Sequence, residues 1–142
     1  MDREDMLEKV TIFSGLDRRH RKQLSKLMVP RTFEAGAVIF KENDQAAAFF
    51  VITSGKVEVV RGADGDKPEV LNTLGAGEFF GEMALFEGQA RSATVRCLEE
   101  TELLAMTRWD FSAELNSNAE IAVAVLETVV RRLREIEARL TD

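Results

Sequence analysis

Between Gly81 and Ser92 the sequence gathers side chains that suit binding rather than bond-making: a glycine, an acid (Glu82), three good helix formers (Met83, Ala84, Leu85) and, after a loop through Gly88, an arginine and a serine. Gly81 permits a close backbone approach or a positive φ, and Glu82 to Leu85 can wind into one isolated helical turn. The N–H groups at the start of such a turn have no partner within it and carry partial positive charge, which suits an anion. Arg91 adds a planar donor fork that matches two phosphate oxygens. A carboxylate repels a bare phosphate, so Glu82 calls for another group on the same ligand, and a ribose hydroxyl supplies it. The set fits a ligand that presents a phosphate and a sugar hydroxyl side by side. The competing explanation is an ordinary surface pair of Glu82 and Arg91, which would contribute little to stability and leaves Gly81 and Ser92 without a reason.

The elements that must hold these residues are mostly strands. The chain has 142 residues, 45% of them hydrophobic and 31% charged, the size and composition of one globular domain, here taken as 1–142. Met6, Leu7 and Val10 share one helical face, and a second amphipathic run follows Asp17, a candidate N-cap, with Leu24, Leu27 and Met28 on its apolar side. From Thr32 the pattern changes to short Val-, Ile- and Phe-rich runs separated by turn residues. Strands are predicted over 37–41, 48–53, 56–61, 69–74, 92–98 and 102–106, with a hairpin turning at Asp64-Gly65. So many short strands imply a jelly-roll-like β-roll, mainly β with flanking helices. After Thr107 a short helix over 109–115 and a long one over 119–140 complete the chain. The expected plan is N-terminal helices in 1–30, the β-roll in 31–107 with the binding segment at 79–95, and C-terminal helices in 108–142.

The net charge of −6 argues against a sequence-independent grip on nucleic-acid phosphates. Cys97 is the single cysteine, which excludes an internal disulfide framework and a multi-cysteine zinc site and fits a reducing cytoplasm. No apolar stretch has the length of a signal peptide core or of a membrane span, so neither export nor a membrane is expected. His20 sits among Arg18, Arg19, Arg21 and Lys22 and reads as part of a solvated helix face, Cys97 as a small core hydrophobe, and Trp109 as packing at a helix start.

Phe80-Gly81-Glu82-Met83-Ala84-Leu85, five residues, then Arg91-Ser92-Ala93-Thr94-Val95 resembles the phosphate-binding cassette of the cyclic-nucleotide-binding domain family. That family includes catabolite activators, regulatory subunits of cyclic-nucleotide-dependent kinases and gated channels. Phe13-Ser14-Gly15-Leu16 resembles its N-terminal entry, Gly36 to Phe40 its first strand, Phe50 to Val57 its central strand and turn, and the terminal helix the one that lids its pocket. The resemblance implies that Glu82 binds the ribose 2′-hydroxyl of a cyclic nucleoside monophosphate and Arg91 its cyclic phosphate. Backbone amides of Met83, Ala84 and Ala93 would line the phosphate site beside Gly81, with the Ser92 hydroxyl as a further donor. Leu71, Arg132, Ile136 and Glu137 complete the candidate contacts: Arg132 to orient Glu82, and Ile136 and Glu137 where catabolite activators carry a Thr-Ser pair that reads adenine. That replacement leaves cAMP and cGMP both open as ligands. Ala90 stands where many members have Pro, which predicts a looser cassette loop.

Ala119, Leu126, Leu133 and Leu140 recur every seven residues, with Ala122, Val129 and Ile136 three later, the a/d pattern of a coiled coil. The first half of this helix is apolar over a wide arc, as for packing on a domain, and the second half narrows to a stripe. The narrowing predicts a helix that leaves the domain body and pairs with another copy, against the alternative that the stripe packs back on the roll. The expected function is a stand-alone cyclic-nucleotide sensor whose terminal helix moves on binding and signals to a protein partner or to a homodimer. Catabolite activators continue into a helix-turn-helix domain where this sequence ends at Asp142, so DNA is not an expected partner. Cleaving a cyclic phosphate commonly uses water activated on metals held by His and Asp, and no such ligands cluster here, so no catalytic residue, metal or cofactor is expected. Two rivals remain: a haem-type gas or redox sensor on the same scaffold, for which His20 and Cys97 are a poor ligand supply, and a degenerate dimerisation module without a ligand.

Overall fold

The alternating Val, Ile and Phe runs resolve into eight antiparallel strands in a computed structural model that describes residues 2–141. They are β1 (Val29–Phe33), β2 (Val38–Phe40), β3 (Ala48–Ser54), β4 (Lys56–Arg61), β5 (Glu69–Gly75), β6 (Phe79–Phe80), β7 (Thr94–Cys97) and β8 (Thr101–Thr107). Two four-stranded sheets form, in the orders β1-β8-β3-β6 and β2-β7-β4-β5. Alternation fixes which side chains point inward: Phe50 and Ile52 of β3, Leu103 and Ala105 of β8 and Phe80 of β6 meet Val57, Leu74, Val95 and Cys97 of the other sheet. Burying each large apolar side chain in such a cluster is worth about 1.5–3 kcal/mol, which is what holds the two sheets face to face. Burial also raises the pKa of the Cys97 thiol, with a hydrogen bond to Thr101 opposing, so its place is in the core, as expected.

Eight strands in two sheets, with helices before and after, match the jelly-roll-like reading. Two strands escaped it. β1 begins three residues before the pattern change at Thr32 and includes Pro30, which a sheet tolerates here because β1 is an edge strand. β6 is only two residues long and lies inside the segment read as non-strand, where it pairs Phe80 with Phe50 and Phe79 with Val51.

The chain divides into two compact units, the β unit over 28–109 and a helical unit from the rest. The helical unit contains α1 (Arg3–Glu8), α2 (Arg18–Ser25), most of α3 (Arg108–Ser117) and α4 (Ala119–Thr141). Leu7, Val10, Phe13, Leu24, Phe111, Ile121 and Val125 form its interior, with Phe13 edge-on to Phe111 at 5.8 Å between ring centroids. Asp17 caps α2 by accepting from the His20 N–H at 2.9 Å, and this hydrogen bond draws its carboxyl below the usual aspartate range. The helix stops at Ser25, so Leu27 and Met28 lie beyond it, although Met28 is buried.

Two expectations are corrected. His20 is buried rather than on a solvated face: Nε2 lies 3.1 Å from Glu120 Oε2 and Nδ1 3.2 Å from Asp17 Oδ1. Three cations around it are likewise tied down, Arg18 by Asp2, Glu4 and Asp5, Arg19 by Glu120, and Arg21 by Glu8 and the Leu16 carbonyl. Trp109 does not pack inward; it is exposed, with the Arg108 guanidinium 5.3 Å above its ring. Along α4, Ile121, Val125 and Thr128 are buried, whereas Val123, Leu126, Val129, Leu133, Ile136 and Leu140 are exposed. No helix among the described residues is long and apolar enough to cross a membrane.

Candidate functional site

Gly81 takes up φ +80°, a left-handed conformation that suits glycine, and turns the chain from β6 into a 3₁₀ turn over Glu82–Leu85. Ala84 and Leu85 are buried and anchor the turn, leaving Glu82 half-buried and Met83 exposed. A Cβ on residue 81 would lie 2.7 Å from Nη1 of Arg91, so the missing side chain is what allows the guanidinium to approach the backbone there.

Arg91 is fixed from three directions. Its Nη2 donates to the Ala48 carbonyl of β3 at 2.6 Å, and its guanidinium carbon stands 3.9 Å from the centroid of the Phe40 ring in β2. Its backbone N–H donates to the Asp44 carbonyl at 2.7 Å, while its own carbonyl accepts from Asn43 at 2.8 Å. Burial lowers the guanidinium pKa, with the Asp44 carboxylate acting in the opposite sense. One atom is left out: Nε is shut off from solvent and has no hydrogen-bond partner. Orphaned polar atoms of this kind are rare in folded proteins and ask for an explanation, such as a ligand or an ordered water.

The loop between the 3₁₀ turn and Arg91 is tethered in two places. Ala90 bridges Gln45 in an antiparallel pair, flanked by Arg91 N–H to Asp44 and Ala46 N–H to the Gln89 carbonyl. The flanking residues supply these two bonds, so this tether does not call on the Ala90 N–H and does not require proline at that position. Further on, Gly88 lacks the Cβ that would collide with the Arg108 guanidinium, which lies against it.

A cavity of about 400 Å³ opens where these pieces meet, lined by Ala46, Gly81, Glu82, Met83, Ala84, Glu87, Gln89, Ala90, Arg91 and Ser92. Of the residues singled out from sequence, Gly81, Glu82, Met83, Ala84, Arg91 and Ser92 are thus on one wall set. Ala93 is buried next to it and does not line it; Leu71 is on β5, exposed and outside the lining. Arg132, Ile136 and Glu137 are exposed residues of α4, in the helical unit. Phe40, Asp44 and Ala48, which hold Arg91, were not singled out; they lie more than forty positions earlier, and no local spacing links them to it. No group of three or more His, Cys, Asp or Glu that could hold a metal occurs among the described residues.

The geometry can hold an anion against Arg91 and a hydroxyl against Glu82. Comparison with known proteins gives the lineage. The profile of the cyclic nucleotide-binding domain matches residues 30–118. The cyclic AMP receptor protein of Thermus thermophilus is 37% identical over 110 residues, 78% of this chain and 51% of that protein. A cyclic nucleotide-gated potassium channel of Rhizobium etli is 37% identical over 123 residues, 87% of this chain and 33% of the channel. Among solved structures, the N-terminal domain of a transcriptional regulator from Streptomyces coelicolor superposes with a TM-score of 0.85 at 35% identity, covering 93% of this chain and 94% of that one. The chain spans between a third and two thirds of the length of these curated relatives and another regulator it matches.

Proposed function

We propose, since this chain belongs to the cyclic nucleotide-binding domain family, that it is a regulatory module which binds cAMP or cGMP in the cavity beneath Arg91 and performs no chemistry on it. The cyclic phosphate accepts from Arg91 and from the amides of Met83, Ala84 and Ala93, with Ser92 as a further donor, and Glu82 accepts from the ribose 2′-hydroxyl. The observation that carries this reading is that Arg91, held by the Ala48 carbonyl and the Phe40 ring, lines one cavity with the half-buried carboxylate of Glu82 and the turn that starts at Gly81.

The base is left to the surroundings. The receptor relative is named for cyclic AMP and the channel relative for cyclic nucleotides in general, and Ile136 and Glu137 at the base-reading place favour neither purine outright. In this reading Arg132, Ile136, Glu137 and Leu71 approach the ligand when it is bound, and the signal is a shift of α4, whose contacts differ between the free and bound states. The exposed leucines of the stripe, Leu133 and Leu140, then face a second copy of the chain, and the module works in the cytoplasm. The direct test is thermal melting with cAMP, cGMP and linear 5′-AMP. At 100 times the dissociation constant a ligand adds about 2.7 kcal/mol of stability, or roughly 5–10 °C for a domain of this size. A rise with a cyclic nucleotide and little with the linear one is expected; no rise with either cyclic nucleotide overturns the proposal.

A further inference from the structure

Phe40 is not among the residues that line the cavity, yet its ring lies under the Arg91 guanidinium. One face of its ring carries the guanidinium, 3.9 Å from the centroid, well within the range of a cation–π contact. The ring also packs against Phe50 and Phe80, with centroids 6.1 and 5.9 Å away, and these two are themselves stacked at 5.2 Å. Two aromatic neighbours restrict the movement of the ring that carries the cation. The missing Cβ of Gly81 leaves room for Nη1, and Nη2 is held by the Ala48 carbonyl. An arginine side chain has many rotamers to give up when it grips a ligand. Here most of that freedom is gone before any ligand arrives.

The geometry points to Phe40 as a positioning residue for the anion-binding arginine: its ring face fixes the plane of the Arg91 guanidinium and so sets the affinity for the cyclic phosphate. The inference rests on the reading of the cavity given above. It predicts that affinity follows the negative charge on the ring face and not merely the volume of residue 40. Phe40→Leu should raise the cAMP dissociation constant about ten-fold, which corresponds to about 1.4 kcal/mol and lies within the range of a partly desolvated cation–π contact.

Because Phe40 also touches the core, the decisive series keeps its shape. Phenylalanines bearing one, two and three fluorines, placed at position 40 alone, drain the ring face with little change in packing. The cAMP dissociation constant should climb with each fluorine while the melting temperature of the ligand-free protein stays level. The climb should flatten in an Arg91→Gln background, where the cation is gone. Equal affinity across the fluorinated series, or the same climb with glutamine at position 91, overturns the role of Phe40. A wild-type chain that binds neither cAMP nor cGMP overturns the reading of the cavity itself, and that result is seen before any variant is made.

Discussion

The segment from Gly81 to Ser92 and the second half of α4 both lie at the surface, and they are held there in opposite ways. In the first, every turn of the chain is tied by a specific device: the left-handed Gly81, the buried Ala84 and Leu85, the ladder at Gln45 and Ala90, and Arg108 against Gly88. In the second, a regular helix presents Leu133, Ile136 and Leu140 to solvent. Recognition of a phosphate needs donors placed to within fractions of an ångström. A helix seam needs only an apolar period, and that period fits a second copy, another protein or a ligand equally well. The first surface therefore limits what could bind it by its donors and its acid, and the second shows only an apolar period.

The contrast can be broken first at Arg91. Arg91→Ala removes a charge-assisted partner from a sheltered site and should weaken cyclic-nucleotide binding by about 2–4 kcal/mol while leaving the circular dichroism of the β unit unchanged. An unaltered dissociation constant would mean that the cassette is ornamental. Glu82→Gln should cost about 1.5–3 kcal/mol for cAMP, the scale of a hydrogen bond to a charged acceptor, and far less for its 2′-deoxy analogue. Equal losses for the two ligands would strip Glu82 of its sugar role.

On the other surface, Leu133→Glu combined with Leu140→Glu places carboxylates in any seam between two copies. Light scattering should then report the mass of one chain, 15.9 kDa, with cyclic-nucleotide affinity only partly reduced. Retained association together with a full loss of affinity would reassign the stripe to the ligand. The smallest effect is expected at Ala90→Pro. The ladder there uses the groups of Asp44, Ala46, Gln89 and Arg91, so a proline should be accommodated and add about 0.4–1 kcal/mol by restricting the unfolded chain. A clear drop in melting temperature would show that the Ala90 N–H does matter.

Much of this was legible in the sequence, for reasons that differ by element. Strands β3, β4, β5 and β8 announce themselves by alternation over six or seven residues, and the cassette by the spacing of Gly81, Glu82, Arg91 and Ser92. β1 was missed because an edge strand with Pro30 and Arg31 has no buried face to impose a period. β6 was missed because two residues cannot show one. His20 looked solvated among cations, since sequence does not reveal that acids of α1 and α4 neutralise its neighbours. Phe40 was invisible as a partner of Arg91 because the pairing of β2 with β7, not local spacing, brings their two stretches together.

If the cavity beneath Arg91 takes a cyclic mononucleotide, calorimetric titration of cAMP, cGMP and cyclic di-GMP into the 142-residue chain will show it. Saturable heat with one mononucleotide per chain from cAMP, cGMP or both, and none from the dinucleotide, is the predicted result. No heat from either mononucleotide, or binding of the dinucleotide alone, would contradict it.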